Sequence, residues 1–176
     1  MPSLWRALFG APDEPEDRTT AAVRKIAEAL DQLPADQARY LAAYAYILGR
    51  VAKADHVVSA EESRAMERIV MEAGGLTEAQ AVLVVQIAKT RNQLFGATED
   101  FLVTREFNEI ATRDQKLQLL EALFAVSSAG DDILVTEDNE IRKIASELTL
   151  EHRDVIAVRL AFRDKLAVLK KPQAGQ

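Results

Sequence analysis

The sequence predicts an all-α fold: a single helical bundle of about seven to eight helices, built from a duplicated helix-loop-helix unit. Three observations predict it. Apolar residues recur at three- and four-residue spacing along most of the chain, the period of an amphipathic helix. No stretch shows the strict alternation of a half-buried strand. Two long segments come into register when the chain is slid along itself, the mark of an internal repeat. Composition agrees, because Gly (7) and Pro (5) are scarce among 176 residues and good helix formers dominate.

The first unit is residues 1–16. Leu4 falls over Leu8 and Trp5 over Phe9, which predicts a short amphipathic helix, and Gly10 to Glu16 is an acidic linker interrupted by Pro12 and Pro15. Two readings of this segment stay open: a terminal helix folded back on the domain, or a docking element for a partner or for peripheral membrane association. A single basic residue, Arg6, offers anionic lipid little. Residues 17–170 are predicted to form the helical domain, and residues 171–176 a disordered tail.

Within the domain, Val23, Ile26, Ala27 and Leu30 mark the apolar face of a first helix that Leu33-Pro34 ends. A second, from about Ala35 to Ala54, is apolar on nearly every side through Leu41, Tyr44, Ile47, Leu48 and Val51, so it belongs in the middle of the bundle. A third runs from about Ser59 to Ala73 and stops at Gly74-Gly75. The fourth starts near Thr77, a weaker fifth lies around Ala97 to Thr112, and the sixth spans Asp114 to Ala129. That sixth helix is again almost wholly apolar in its second half (Leu119, Leu120, Leu123, Phe124). The seventh covers Thr136 to Leu148 and the eighth Glu151 to Lys170.

The repeat carries Met66, Ile69, Val70 and Ala73 onto Ile141, Ile144, Ala145 and Leu148, so one buried helix face reproduces another. Upstream, the same offset lays Ala54 to Glu62 over Ala129 to Glu137. Each copy reads as a core helix, an acidic loop with one branched anchor (Val58, Ile133), then a helix that opens with a glutamate. Two such units would bury each other's apolar faces, a physical reason for duplication.

Charge and composition exclude several functions. The chain has 28 acidic against 22 basic residues, a net charge of −6, and no basic patch stands out that would offset repulsion by a phosphate backbone. Nucleic acid is therefore not an expected partner. The absence of cysteine removes disulfides, thiolate metal sites and thiol nucleophiles together. The longest apolar run, Tyr40 to Gly49, is about half of the roughly twenty residues a membrane span needs. With no signal peptide in view, the expected location is cytoplasmic. No His-Glu-x-x-His, Gly-x-Ser-x-Gly, Walker loop or Gly-x-Gly-x-x-Gly occurs, and the chain is read as a non-enzyme.

Ala54, Asp55, Val58 and Glu62 match the Ala-Asp-Gly, branched apolar, Glu signature of the TerB tellurite-resistance family, and Ala129, Ile133 and Glu137 match it in part. Over about residues 20–165 the chain resembles that family, with Leu120 to Phe124 and Glu137 to Arg142 similar to its C-terminal half. The resemblance implies an all-helical domain and a role in tellurite resistance or stress response, with other proteins as partners. Two positions depart from the pattern. His56 stands where the signature has Gly, and the second copy carries Gly130-Asp131 in place of Asp-Gly.

The candidate site is the set of acids on the two loops: Asp55 and Glu62 from the first copy, Asp131 and Glu137 from the second. Four clustered carboxylates without thiolates suit a hard divalent cation of the calcium or magnesium class. They cannot form an EF-hand, because Val51 and Lys53, or Val126 and Ser128, occupy the positions of its first two oxygen ligands. The plainer reading of Glu62 is a capping box with Ser59. The second copy has no serine at that place yet retains Glu137, which favours another use for the acid. Glu121, in mid-helix among apolar residues, is read either as a core carboxylate or as a solvated edge position.

Overall fold

The computed structural model describes residues 18–52, 60–94, 100–129 and 135–162, apart from the side chains of residues 18–24, 62 and 90–94. Among them are eight helices and no strand: α1 (Arg18–Asp31), α2 (Ala35–Val51), α3 (Ala60–Gly74), α4 (Glu78–Leu94), α5 (Asp100–Ile110), α6 (Arg113–Ser128), α7 (Val135–Glu147) and α8 (His152–Ala161). The N-terminal helix and linker, the C-terminal tail and the final residues of the predicted eighth helix lie outside the described residues.

The order follows local chemistry. Pro34, with φ fixed by its ring, precedes α2 and cannot continue α1. Gly75, at φ +67, ends α3 and returns its amide to the Met71 carbonyl at 3.2 Å, a left-handed stop that glycine adopts without strain. Thr77 and Gln80 exchange side chain and backbone at the start of α4, at 3.0 and 3.3 Å, and Thr112 and Gln115 do so at the start of α6, at 2.8 and 3.2 Å. Both are capping boxes of the Thr-x-x-Gln form, which satisfy two amides that the helix itself leaves open.

Helix α2 is the hub. It packs against α1, α4, α5, α6 and α7, and its Leu41, Tyr44, Ile47 and Leu48 are fully buried. Leu119, Leu120, Leu123 and Phe124 of α6 are also fully buried, so the two all-apolar helices supply the centre of the core. The packing of the two repeat units is crossed. Helix α3 of the first unit lies on α6 of the second, while α7 of the second lies on α2 of the first. Met66 and Val70 of α3 and their repeat counterparts Ile141 and Ala145 of α7 are all buried, whereas Ile144 is buried and its counterpart Ile69 only partly so. Glu121 is exposed, which settles its two readings in favour of the solvated edge: it shares α6 with the core residues but lies on the opposite face.

Tyr40, Tyr44 and Phe107 form an aromatic cluster that joins α2 to α5, with ring centroids 5.3–6.3 Å apart. Burial pushes the Tyr40 phenol from 10.0 up to about 12, and burial, followed by the nearby Tyr40, raises Tyr44 as well. Ionisation is thus easier in the unfolded chain than in the folded one. The stability that these neutral phenols contribute is complete below pH 10 and is lost as pH rises through about 12. Alkaline titration should therefore show tyrosinate absorbance and loss of helical circular dichroism rising together in that window. Ionisation of these tyrosines at their ordinary value with the fold intact would contradict the cluster.

Candidate functional site

One arginine joins the end of α2 to α5 and α7. Arg50 stands one residue before the end of α2, and its side chain is only 1% exposed. Its Nε and Nη2 donate to one oxygen of Glu140 on α7, at 2.8 and 2.6 Å. Its Nη1 donates to Glu147 at 2.7 Å and to Thr104 Oγ1 at 2.7 Å. Asp100, the first residue of α5, lies 3.7 Å from Nε and accepts from the Tyr46 hydroxyl at 2.8 Å. The Thr104 hydroxyl in turn donates to the Asp100 carbonyl at 2.9 Å. One guanidinium thus holds α2, α5 and α7 at one end of the bundle.

The chemistry of this knot follows from its burial. Taking the guanidinium out of water works against its charge. Hydrogen bonds from Glu147 and Glu140, with their negative charges, outweigh that cost and raise the Arg50 pKa above its ordinary value. Three carboxylates face one cation, so the cluster is negative on balance. A second charged tie lies on the other side of α7. Asp138, also buried, accepts from Arg142 Nε at 3.0 Å and lies 3.3 Å from Arg159 Nε of α8. Arg113 ties α6 to α8 through Asp154 at 2.7 Å, and that hydrogen bond holds the Asp154 carboxyl below its ordinary value.

The predicted site residues fall as follows. Asp55 and Asp131 lie outside the described residues. Glu62 is in the first turn of α3, with its side chain outside the description. Glu137 is in the first turn of α7, half-buried, and has an interaction partner. Among the described residues no three Asp, Glu or His side chains converge in a way that would hold a metal ion. Of the described acids, Asp100, Glu140 and Glu147 serve Arg50, and Asp138 serves two arginines. Any cation on the loops would therefore draw on the loop acids themselves, whose all-oxygen donor set fits a hard ion.

The Arg50 knot was missed by sequence reasoning, although one signal for it was present. Arg50 interrupts a helix that is apolar on nearly every side, and a charge there must find buried partners. Nothing local identifies those partners, which lie 54, 90 and 97 residues further along the chain.

Fold and site together define the class: an all-helical bundle made of two crossed helix-loop-helix units, with an ionic knot at the C-terminal end of α2. A sequence model of the family described as tellurite resistance protein TerB matches residues 40–160, from the start of the apolar part of α2 to the end of α8. The chain belongs to the TerB family. Among curated proteins and among solved structures, nothing matches it. No described helix is long and apolar enough to cross a membrane.

Proposed function

We propose that this TerB-family chain is a non-enzymatic, cytoplasmic stress-response module that binds a hard divalent cation between its two acidic loops and engages other proteins. The observation that carries the reading is the contact between Arg50 and Glu140. It ties the end of α2, which the first loop follows in the sequence, to α7, which follows the second loop, and the same guanidinium also binds Glu147 at the last residue of α7. On this reading Asp55, Glu62, Asp131 and Glu137 are pooled around one cation. The surplus of carboxylates around Arg50 adds a negative field that attracts a cation to that end. Phe101 and Leu102, exposed on the first turn of α5 next to Asp100, supply apolar surface for a protein partner.

A second reading, a metal-free interaction scaffold, has its own support. The reciprocal caps of Thr77 with Gln80 and of Thr112 with Gln115 use the same spacing as Ser59 and Glu62. A glutamate in that place satisfies backbone amides without any metal. Thermal melting separates the two. Millimolar calcium or magnesium should raise the melting temperature of the native chain, because an ion that binds only the folded state stabilises it in proportion to its excess. The double variant Glu62→Gln, Glu137→Gln should lose that shift. Equal shifts, or none in either protein, leave these acids as caps.

A further inference from the structure

Two arginines from different helices close on one buried carboxylate. Asp138, early in α7, has a side chain that is 6% exposed. Arg142, one turn further along α7, donates to its Oδ2 through Nε at 3.0 Å. Arg159, near the end of α8, brings its Nε to 3.3 Å from Oδ1, but neither of these two atoms makes a hydrogen bond among the described residues. Of all the N–H donors that the two guanidiniums present, only Arg142 Nε has an acceptor among the described residues. Both side chains reach the surface, Arg142 at 45% exposed and Arg159 at 24%. Two cations on one anion leave a positive surplus, in a chain whose net charge is −6. The charges at the start of α8 cancel instead, Arg153 with Glu151 and Asp154 with Arg113, each pair at 2.7 Å.

Apolar side chains flank this positive centre. The contact of Asp138 with Arg159 sets the early part of α7 against the late part of α8, so the two helices run antiparallel on either side of the turn at residues 148–151. On α7, Val135, Asp138 and Arg142 follow helical spacing and share a face; on α8, Ile156 neighbours both Arg159 and Leu160. Val135, Ile156 and Leu160 are all exposed, although a large apolar side chain gains by leaving water. Two antiparallel helices with apolar side chains beside a charged centre form a seat for a third helix.

We infer that this face of α7 and α8 docks an acidic amphipathic helix of a partner protein. One carboxylate of that helix sits between Arg142 and Arg159, and its apolar neighbours cover Val135, Ile156 and Leu160. Charge complementarity identifies the occupant. A carboxylate offers two oxygens to guanidinium donors that have no acceptor, and its single charge matches the surplus around Asp138. A phosphoryl group, nearly dianionic, exceeds that surplus and is opposed by Asp138 itself. The inference rests on the reading of the chain as a protein-binding module and names a surface and a partner chemistry for it; no cation is involved.

A fluorescent probe helix of about 15–20 residues, with leucines at helical spacing around one central glutamate, tests this on the full chain. Anisotropy gives the affinity and backbone amide NMR the location. Saturable shifts are expected at Val135, Asn139, Arg142, Ile156 and Leu160. A probe with glutamine in place of the glutamate should bind about tenfold more weakly, the worth of one charged hydrogen bond. Arg142→Gln should weaken the glutamate probe by the same factor and leave the glutamine probe little changed. Leu160→Asp, at an exposed position, should abolish binding with the helical circular dichroism intact. The inference is overturned by shifts that do not saturate or that centre elsewhere, by equal affinity of the two probes, or by tighter binding of a phosphoserine probe. Such a failure leaves Phe101 and Leu102 as the surface for a partner, so it does not decide the proposed function.

Discussion

Replacing Arg50 with methionine is expected to destabilise the fold by about 3–5 kcal/mol, the usual consequence of removing one partner from a buried ion pair. Methionine fills much of the same volume, so the loss comes from the groups left behind. Glu140 and Glu147 would lose the charge that neutralises them, and Thr104 its donor. Arg50→Lys should fall between the two, since a single ammonium cannot serve four partners in the plane of a guanidinium. Urea denaturation at neutral pH measures the effect. Adding Glu140→Gln and Glu147→Gln to Arg50→Met should recover part of the loss, because the stranded charges are then gone. A cost near zero for Arg50→Met would mean that the knot does not hold the three helices together.

The second large effect concerns the apolar centre. Phe124→Ala should cost about 3–5 kcal/mol and Leu48→Ala about 2–5 kcal/mol, as lost transfer energy and residual cavity add. Both side chains are fully buried, on α6 and α2, and Phe124 also stacks on Phe162, ring centroids 5.9 Å apart and planes 9° from parallel. The same denaturation series checks them. Near-zero losses at both positions would place these two helices outside the core.

These residues also mark what the sequence makes legible. Leu48 and Phe124 sit within segments that are apolar on nearly every side, and a central helix is what buries such a surface, so their burial follows from the pattern. The stop at Gly74-Gly75 is equally local: one residue at positive φ ends a helix, and glycine is the residue that allows it. The boxes at Thr77 and Thr112 obey a visible spacing but are easily passed over, because their partner is glutamine in both. Glu121 needed the structure. Its helix is nearly apolar all round, and a rotation of one residue separates a core position from an exposed one.

The site is less legible for a physical reason. Periodicity reports which face of a helix is buried and says nothing about which distant helix lies against it. Arg50 announces that it needs partners, but Asp100, Glu140 and Glu147 become its partners only when α5 and α7 close on α2. The reverse holds for the loop acids. Their pairing is suggested by the repeat, and Arg50 with Glu140 ties the end of α2 to α7, while Asp55 and Asp131 themselves fall outside the described residues.

Calorimetric titration of the metal-free chain with calcium, and separately with magnesium, tests the shared loop site most directly, because it reads stoichiometry as well as affinity. Acids pooled from both loops predict one cation per chain, with weak affinity because the second loop carries its aspartate one position out of register. They also predict that Glu62→Gln alone and Glu137→Gln alone each abolish the binding heat, since neither loop suffices. Two cations per chain, or a heat that survives in either single variant, would contradict a shared site, and no heat with either ion would leave these carboxylates as helix caps.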